Sequence, residues 1–237
     1  MEVFSVQTIG YAVLGGIVPP LIWLYFLLRE SARCPEPGTL ILMAFIAGMF
    51  AVPIVIPFES YALAHLANGL PVIVGWAVIE ETLKYVFAAL LILWRSEVDD
   101  PIDLVIYMLT VALGFAALEN TLFLITPFTH GDVSSALITG NLRFVGSTLL
   151  HVIASSAIGF SLAFSFKAAR LVRTAAAALG LILAVTLHTL FNFFIINENG
   201  SQTVLAFFVV WTGAVVFFAL FEVLKYFRYR NVPANTC

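Results

Sequence analysis

The sequence predicts an all-α, polytopic membrane bundle of about seven transmembrane helices, and three observations carry that reading. The 237 residues are 62% hydrophobic and only 11% charged. Mean hydropathy is +1.04. The apolar residues fall in blocks of about twenty, the length that crosses a hydrocarbon core of about 30 Å. Soluble domains run about 45–50% apolar and about 25% charged, so a soluble enzyme, a nucleic-acid-binding protein and a disordered chain are excluded. Short alternating segments, the signature of an outer-membrane barrel, do not occur.

Seven spans follow in order, at about 8–28, 39–57, 70–94, 103–127, 142–166, 174–196 and 202–224, within a single integral-membrane domain over 1–237. Charged or polar connections separate them: Arg29 to Gly38, Arg95 to Asp103, Lys167 to Arg173 and Asn197 to Ser201. Phe128 to Asn141 reads as a loop or a short surface helix, and Pro19-Pro20, Pro53 and Pro57 predict kinks or helix ends. Arg29, Arg33, Arg95, Lys167, Arg170, Arg173, Lys225, Arg228 and Arg230 fall in alternate connections or the tail, nine cations against none or, with Arg143, one. The positive-inside bias predicts an outside N-terminus and a cytoplasmic C-terminus. It also puts Cys34 and Cys237 on the reducing side, where no disulfide is expected. The first 28 residues lack Lys or Arg, which argues against a cleaved signal peptide. No repeat relates the halves as in an inverted-repeat transporter, and no feature specifies an oligomeric state.

The informative residues are charges inside spans. Glu80, Glu81 and Lys84 sit mid-span in VIEETLKYVF, and Glu119 with Asn120 in GFAALENTLF; His151 lies in span five, His188 and Asn192 in HTLFN of span six. Each central charge costs roughly 2.5–3.5 kcal/mol on insertion scales, so four cost roughly 10 kcal/mol before pairing. Such groups face the bundle interior or a water-filled cavity. Counted at about 1.5 Å per residue, all lie about 12–17 Å below the outer surface. Four spans therefore deliver polar groups to one level.

Helical spacing adds directions. At about 100° per residue, Lys84 lies between Glu80 and Glu81 in azimuth and can pair with either. His188 and Asn192 share a face. Arg143, Ser147, His151, Ser155 and Gly159 recur at fourfold spacing, a polar or small stripe suited to a cavity wall or to close packing. Three glutamates and one lysine leave a formal −2, which a low-dielectric site does not hold unpaired. A divalent cation, proton uptake or recruitment of Arg143 would each balance it. Glu80, Glu81, Glu119, His151 and His188 are suitable ligands for Zn2+; without metal, a carboxylate of raised pKa serves as general base toward water. Both routes end in hydrolysis.

EPGTLILMAFIAG (Glu36 to Gly48), EETLK (Glu80 to Lys84), FAALEN (Phe115 to Asn120), the Arg143…His151…Ser155…Gly159 stripe and HTLFN (His188 to Asn192), in this order, resemble the PrsW family of intramembrane proteases. That family belongs with the wider CAAX prenyl protease group. The resemblance implies a catalytic set of Glu80, Glu81 and His151, joined at the same level by Glu119 and His188. It also implies an oxyanion-stabilising role for His188 and Asn192, with Asn120 and Lys84 as further substrate-contacting candidates. The chain carries EExxK where the wider group has an arginine-bearing form, and ExN in span four in place of a histidine motif. The implied partners are the lipid bilayer and a single-span membrane protein substrate, anti-sigma-factor-like and cut on its extracytoplasmic side.

Blander readings stand beside these. Glu80, Glu81 and Lys84 also suit a structural ion-pair network, Glu119-Asn120 a helix cross-link, and Arg143 interfacial snorkelling. His65 and His130 read as loop residues, Asp99, Asp100 and Asp103 as a solvated turn, and the Phe-rich seventh span as lipid-facing. The sequence lacks HExxH and Gly-x-Ser-Gly, and all four aspartates lie in or beside connections. That leaves a glutamate and histidine chemistry among intramembrane proteases. A proton- or cation-coupled transporter using the same buried groups is the alternative, and a non-catalytic membrane partner a weaker one.

Overall fold

The computed structural model describes residues 6–30, 35–197 and 202–229; Cys34 and Cys237 lie outside the described residues. These residues form helices and no strand: α1 (Val6–Glu30), α2 (Gly38–His65), α3 (Leu70–Ala88), α4 (Pro101–Thr129), α5 (Val133–Leu142), α6 (Thr148–Phe164), α7 (Arg170–Asn192) and α8 (Thr203–Tyr229). Wide π-type turns extend α3 over Ala89–Leu93, join α5 to α6 over Arg143–Ser147 and close α7 over Phe193–Asn197. Six helical segments are long and apolar enough to cross a membrane. The remaining long helix, α3, carries Glu80, Glu81 and Lys84. The molecule is a polytopic helical bundle.

The central helix is α4, with every residue from Ile102 to Ala117 buried and α1, α2 and α6 packed around it. Lipid supplies no hydrophobic drive between helices, so close backbone approach through small residues has to hold them. The α2–α4 crossing shows this in both directions. A side chain at Gly48 would collide with the Val111 carbonyl, and one at Gly114 with the Phe45 carbonyl. Gly159 of α6 repeats the device against Val105 of α4.

The helix starts are chemically specified. Asp100 caps α4 by accepting from the Ile102 N–H, and Asp103 reaches back to the N–H of Asp100, a capping box. Gly69, at φ 88°, makes the turn before Pro71 opens α3.

Two span boundaries differ from expectation. α2 does not end at Pro57 but runs through Pro53 and Pro57 to His65; prolines are tolerated in spanning helices where the freed backbone groups are satisfied nearby. Pro19 and Pro20 likewise lie inside α1. Phe128 to Asn141 is not a separate surface helix. α4 continues to Thr129, Gly131 turns the chain at φ 70°, and α5 starts at once under an Asp132 cap. From there α5 and α6 form one helical segment, Val133–Phe164.

At one end of the bundle, Arg228 of α8 pairs with Asp100 at the start of α4. Arg173 of α7 lies over Trp94, which follows α3. The end of α3, the start of α4, the start of α7 and the end of α8 therefore share that end.

Candidate active site

Glu80 and Glu81 are adjacent on α3, so their side chains diverge by about 100°, and Lys84 sits one turn on between them. All three are buried, Lys84 completely. Its Nζ lies 3.2 Å from Glu80 Oε2 and 2.7 Å from Glu81 Oε1. The third partner is His151 of α6, whose Nδ1 is 2.8 Å away. The ring of Phe115 lies 4.1 Å from the same nitrogen, which places a π face against the charge.

These contacts fix the imidazole tautomers. An ammonium only donates, so His151 Nδ1 accepts, and the neutral ring carries its proton on Nε2. That nitrogen points at Glu119 Oε2, 3.0 Å away, with Ser147 Oγ at 3.5 Å. His188 of α7 is set the other way. Its Nδ1 lies 2.8 Å from Glu81 Oε1 and donates to that carboxylate, and its Nε2 lies 3.8 Å from Glu80 Oε1. The two rings meet edge to face, with centroids 5.2 Å apart.

The two glutamates are not equivalent. Glu81 is saturated: Lys84 and His188 donate to Oε1, and Ser155 donates to Oε2 at 2.8 Å. Glu80 takes Lys84 on Oε2 and contributes to the wall of a cavity of about 510 Å³, which Glu81 does not touch. Glu59, Glu119, Arg143, Ser147, His151, His188 and Asn192 line the same cavity.

The proposed common level is thus a common site, with corrections of detail. Arg143 is not a free interfacial cation. It pairs with Glu119 through Nη2 and donates from Nε to Asn120 Oδ1 at 2.6 Å. That pairing removes one unit of the formal −2. Asn120 is buried between Arg143 and Thr148 Oγ1, 2.9 Å away, and does not line the cavity. Lys84 Nζ is likewise engaged by three partners. The stripe on span five has one use per residue: Ser147 and His151 face the cavity, Ser155 holds Glu81, and Gly159 admits α4. His65 and His130 bond the carbonyls of Tyr61 and Thr126 on their own helices.

One site residue escaped the sequence reading. Glu59 of α2 lines the cavity and comes within hydrogen-bonding reach of Glu80. Ending span two at Pro57 placed it in a connection. The available signal was an acidic residue two positions past a proline with apolar sequence continuing beyond it.

The donor set fits a divalent cation. Glu80, Glu81, His151 and His188 each offer one ligand atom, all within 4.8 Å of one another and all buried. Paired carboxylates and imidazoles are the donors of catalytic zinc sites. Lys84 Nζ holds Glu80, Glu81 and His151 Nδ1 among these atoms, so a bound cation would take them in place of the ammonium.

A helical bundle that brings glutamates and histidines into one cavity wall has the groups that water activation requires. The sequence model of the PrsW family intramembrane metalloproteases matches residues 36–224, and the chain belongs to that family. It is 26% identical over 226 residues to a "Protease PrsW" of Oceanobacillus iheyensis, covering 94% of this chain and 96% of that one. To the "Protease PrsW" of Bacillus subtilis it is 28% identical over 213 residues, 84% and 90% of the two chains. To that of Geobacillus kaustophilus it is 31% identical over 132 residues, 52% and 56%. No solved structure matches. The protein is accordingly a multi-pass membrane peptidase of the cell membrane.

Proposed function

We propose that the protein hydrolyses a peptide bond of a membrane-anchored protein, with Glu80 as the general base. The inequality of the two glutamates carries this reading. Glu81 has three donors and no face on the cavity, whereas Glu80 lines it. Glu80 takes a proton from water as the water oxygen bonds to the scissile carbonyl carbon. The carbonyl electron pair moves to oxygen, and the same proton passes to the departing amine as the C–N bond breaks.

The developing oxyanion needs donors. Asn192 offers an amide from the cavity wall, while the Nε2–H that the contact with Lys84 keeps on His151 is directed at Glu119. His188 is held by Glu81 through Nδ1 and faces the cavity. A divalent cation held by Glu80, Glu81, His151 and His188 would supply Lewis acidity toward the reacting carbonyl. Glu59, beside Glu80, offers a second carboxyl group for holding the transferred proton.

The substrate we infer is a single-span membrane protein, anti-sigma-factor-like, cut near its extracytoplasmic side. An outside N-terminus, supported by the nine-to-one bias of cations, puts the cluster in the outer half of the bilayer, where such a segment is within reach. The test compares wild type with Glu80→Gln at matched expression in cells lacking the native gene, mapping membrane-protein N-termini by mass spectrometry. New termini in or just outside a membrane span, with wild type alone, are expected. Identical termini, with both proteins folded and inserted, would count against the proposal.

A further inference from the structure

A second cavity, of about 610 Å³, lies at the opposite end of the two helices that carry most of the cluster. Its walls are Tyr85 of α3, Trp94 just past that helix, and Ala168, Arg170, Arg173 and Thr174 at the start of α7. From Glu80 to Trp94, and from His188 back to Arg173, the separation is roughly 20 Å at 1.5 Å per residue. The arginine end of this cavity is therefore well separated from the cluster, while its Tyr85 wall follows Lys84 directly in α3.

Its chemistry is cationic and unfinished. Arg173 lies over two rings, 5.1 Å from the centroid of Trp94 and 5.9 Å from that of Phe166, which fix its guanidinium in place. Its Nε is buried and has no hydrogen-bond partner. A buried N–H left without an acceptor is destabilising, so the site is short of an acceptor. Arg170 adds a second guanidinium, and Ala169, at the N-cap, gives no side chain to the free N–H groups of the first turn of α7. No ion pair with a carboxylate occupies either arginine among the described residues. Guanidinium groups match phosphate oxygens with paired N–H donors.

The surroundings favour a lipid as the source of that phosphate. Leu90 is 78% exposed and Leu171 81% exposed, and Phe164, Val172 and Trp94, at the same ends of their helices, are also exposed. Exposed apolar side chains next to a tryptophan and a pair of arginines are the features of a membrane–water interface. A headgroup seated on Arg170 and Arg173 would have its acyl chains along that apolar surface.

We propose that the arginine end of this cavity binds the phosphate of an anionic phospholipid headgroup, bridging the end of α3 and the start of α7. The test is native mass spectrometry of the detergent-purified full chain with phosphatidylglycerol, with phosphatidylcholine of the same acyl chains, or with inorganic phosphate. Wild type should retain phosphatidylglycerol about thirtyfold better than Arg170→Gln/Arg173→Gln, from about 1 kcal/mol per interfacial cation. Arg170→Lys/Arg173→Lys should restore most of the retention. Circular dichroism melts identify any variant that fails to fold, and the lysine variant then carries the comparison with phosphatidylcholine. Equal retention by a folded glutamine variant, or no preference over phosphatidylcholine, would overturn the proposal. Arginine-dependent binding of inorganic phosphate without phosphatidylglycerol would overturn the lipid as the source.

Discussion

The Nζ of Lys84 lies 2.8 Å from Nδ1 of His151, and the direction of that hydrogen bond sets the proton on the far side of the imidazole ring. A residue on α3 thereby determines what a residue on α6 offers to the cavity. Replacing Lys84 with Met removes the counter-charge of two buried carboxylates as well as this donor. Breaking a buried pair typically costs about 3–5 kcal/mol. Lys84→Met should lower the unfolding temperature in detergent markedly. Histidine ¹⁵N spectra of the wild type should show His151 protonated at Nε2.

Glu80→Gln and Glu81→Gln should fail differently. The first leaves the three donors of Glu81 in place, so insertion and melting should stay near wild type. Turnover should fall by about 10²–10⁴, the usual contribution of a general base. The second removes the buried charge that Lys84 and His188 face and turns one of two acceptor oxygens into a donor, so thermal stability should fall along with activity. Melting curves run beside a cleavage assay separate the two, and parallel losses would defeat the assignment of Glu80 as base.

The donor set predicts metal retention that depends on His188. Elemental analysis of purified wild type should find a divalent cation in near-stoichiometric amount, and His188→Gln should lose most of it. Full retention in that variant would remove His188 from the ligand set.

Gly48→Ala and Gly114→Ala each put a methyl group against a backbone carbonyl of the partner helix. Overpacking of this kind costs typically about 1–3 kcal/mol. The separation of α2 from α4 should be felt at the site as well, because Glu59 and Glu119 reach the cavity from those helices. A lower melting temperature together with reduced cleavage is the expected result.

Much of this site was legible in the sequence because a membrane makes charge conspicuous. Glu80, Glu81, Glu119, His151 and His188 stand out against apolar surroundings, and counting residues from the span ends puts them at one depth. The helical period also placed Lys84 between its two carboxylates. Rotation between helices was not legible. Nothing in the spacing showed that Asn120 turns toward Thr148 while Asn192 faces the cavity, or that Glu81 would be saturated and Glu80 left facing it. Glu59 was missed for a different reason. Proline marks the end of most soluble helices, but α2 passes through two of them.

The carboxylate of Glu81 receives hydrogen bonds from Lys84 on its own helix, Ser155 on α6 and His188 on α7. Sliding either neighbouring helix by one residue would turn it about 100° and shift it about 1.5 Å, which would leave a buried donor or acceptor orphaned. Apolar contacts between lipid-embedded helices discriminate weakly among such settings. Glu81 thus works as a keyway for assembly: a bundle joined in the wrong register pays for it at the same atoms that order the chemistry, so misassembly and inactivity arrive together.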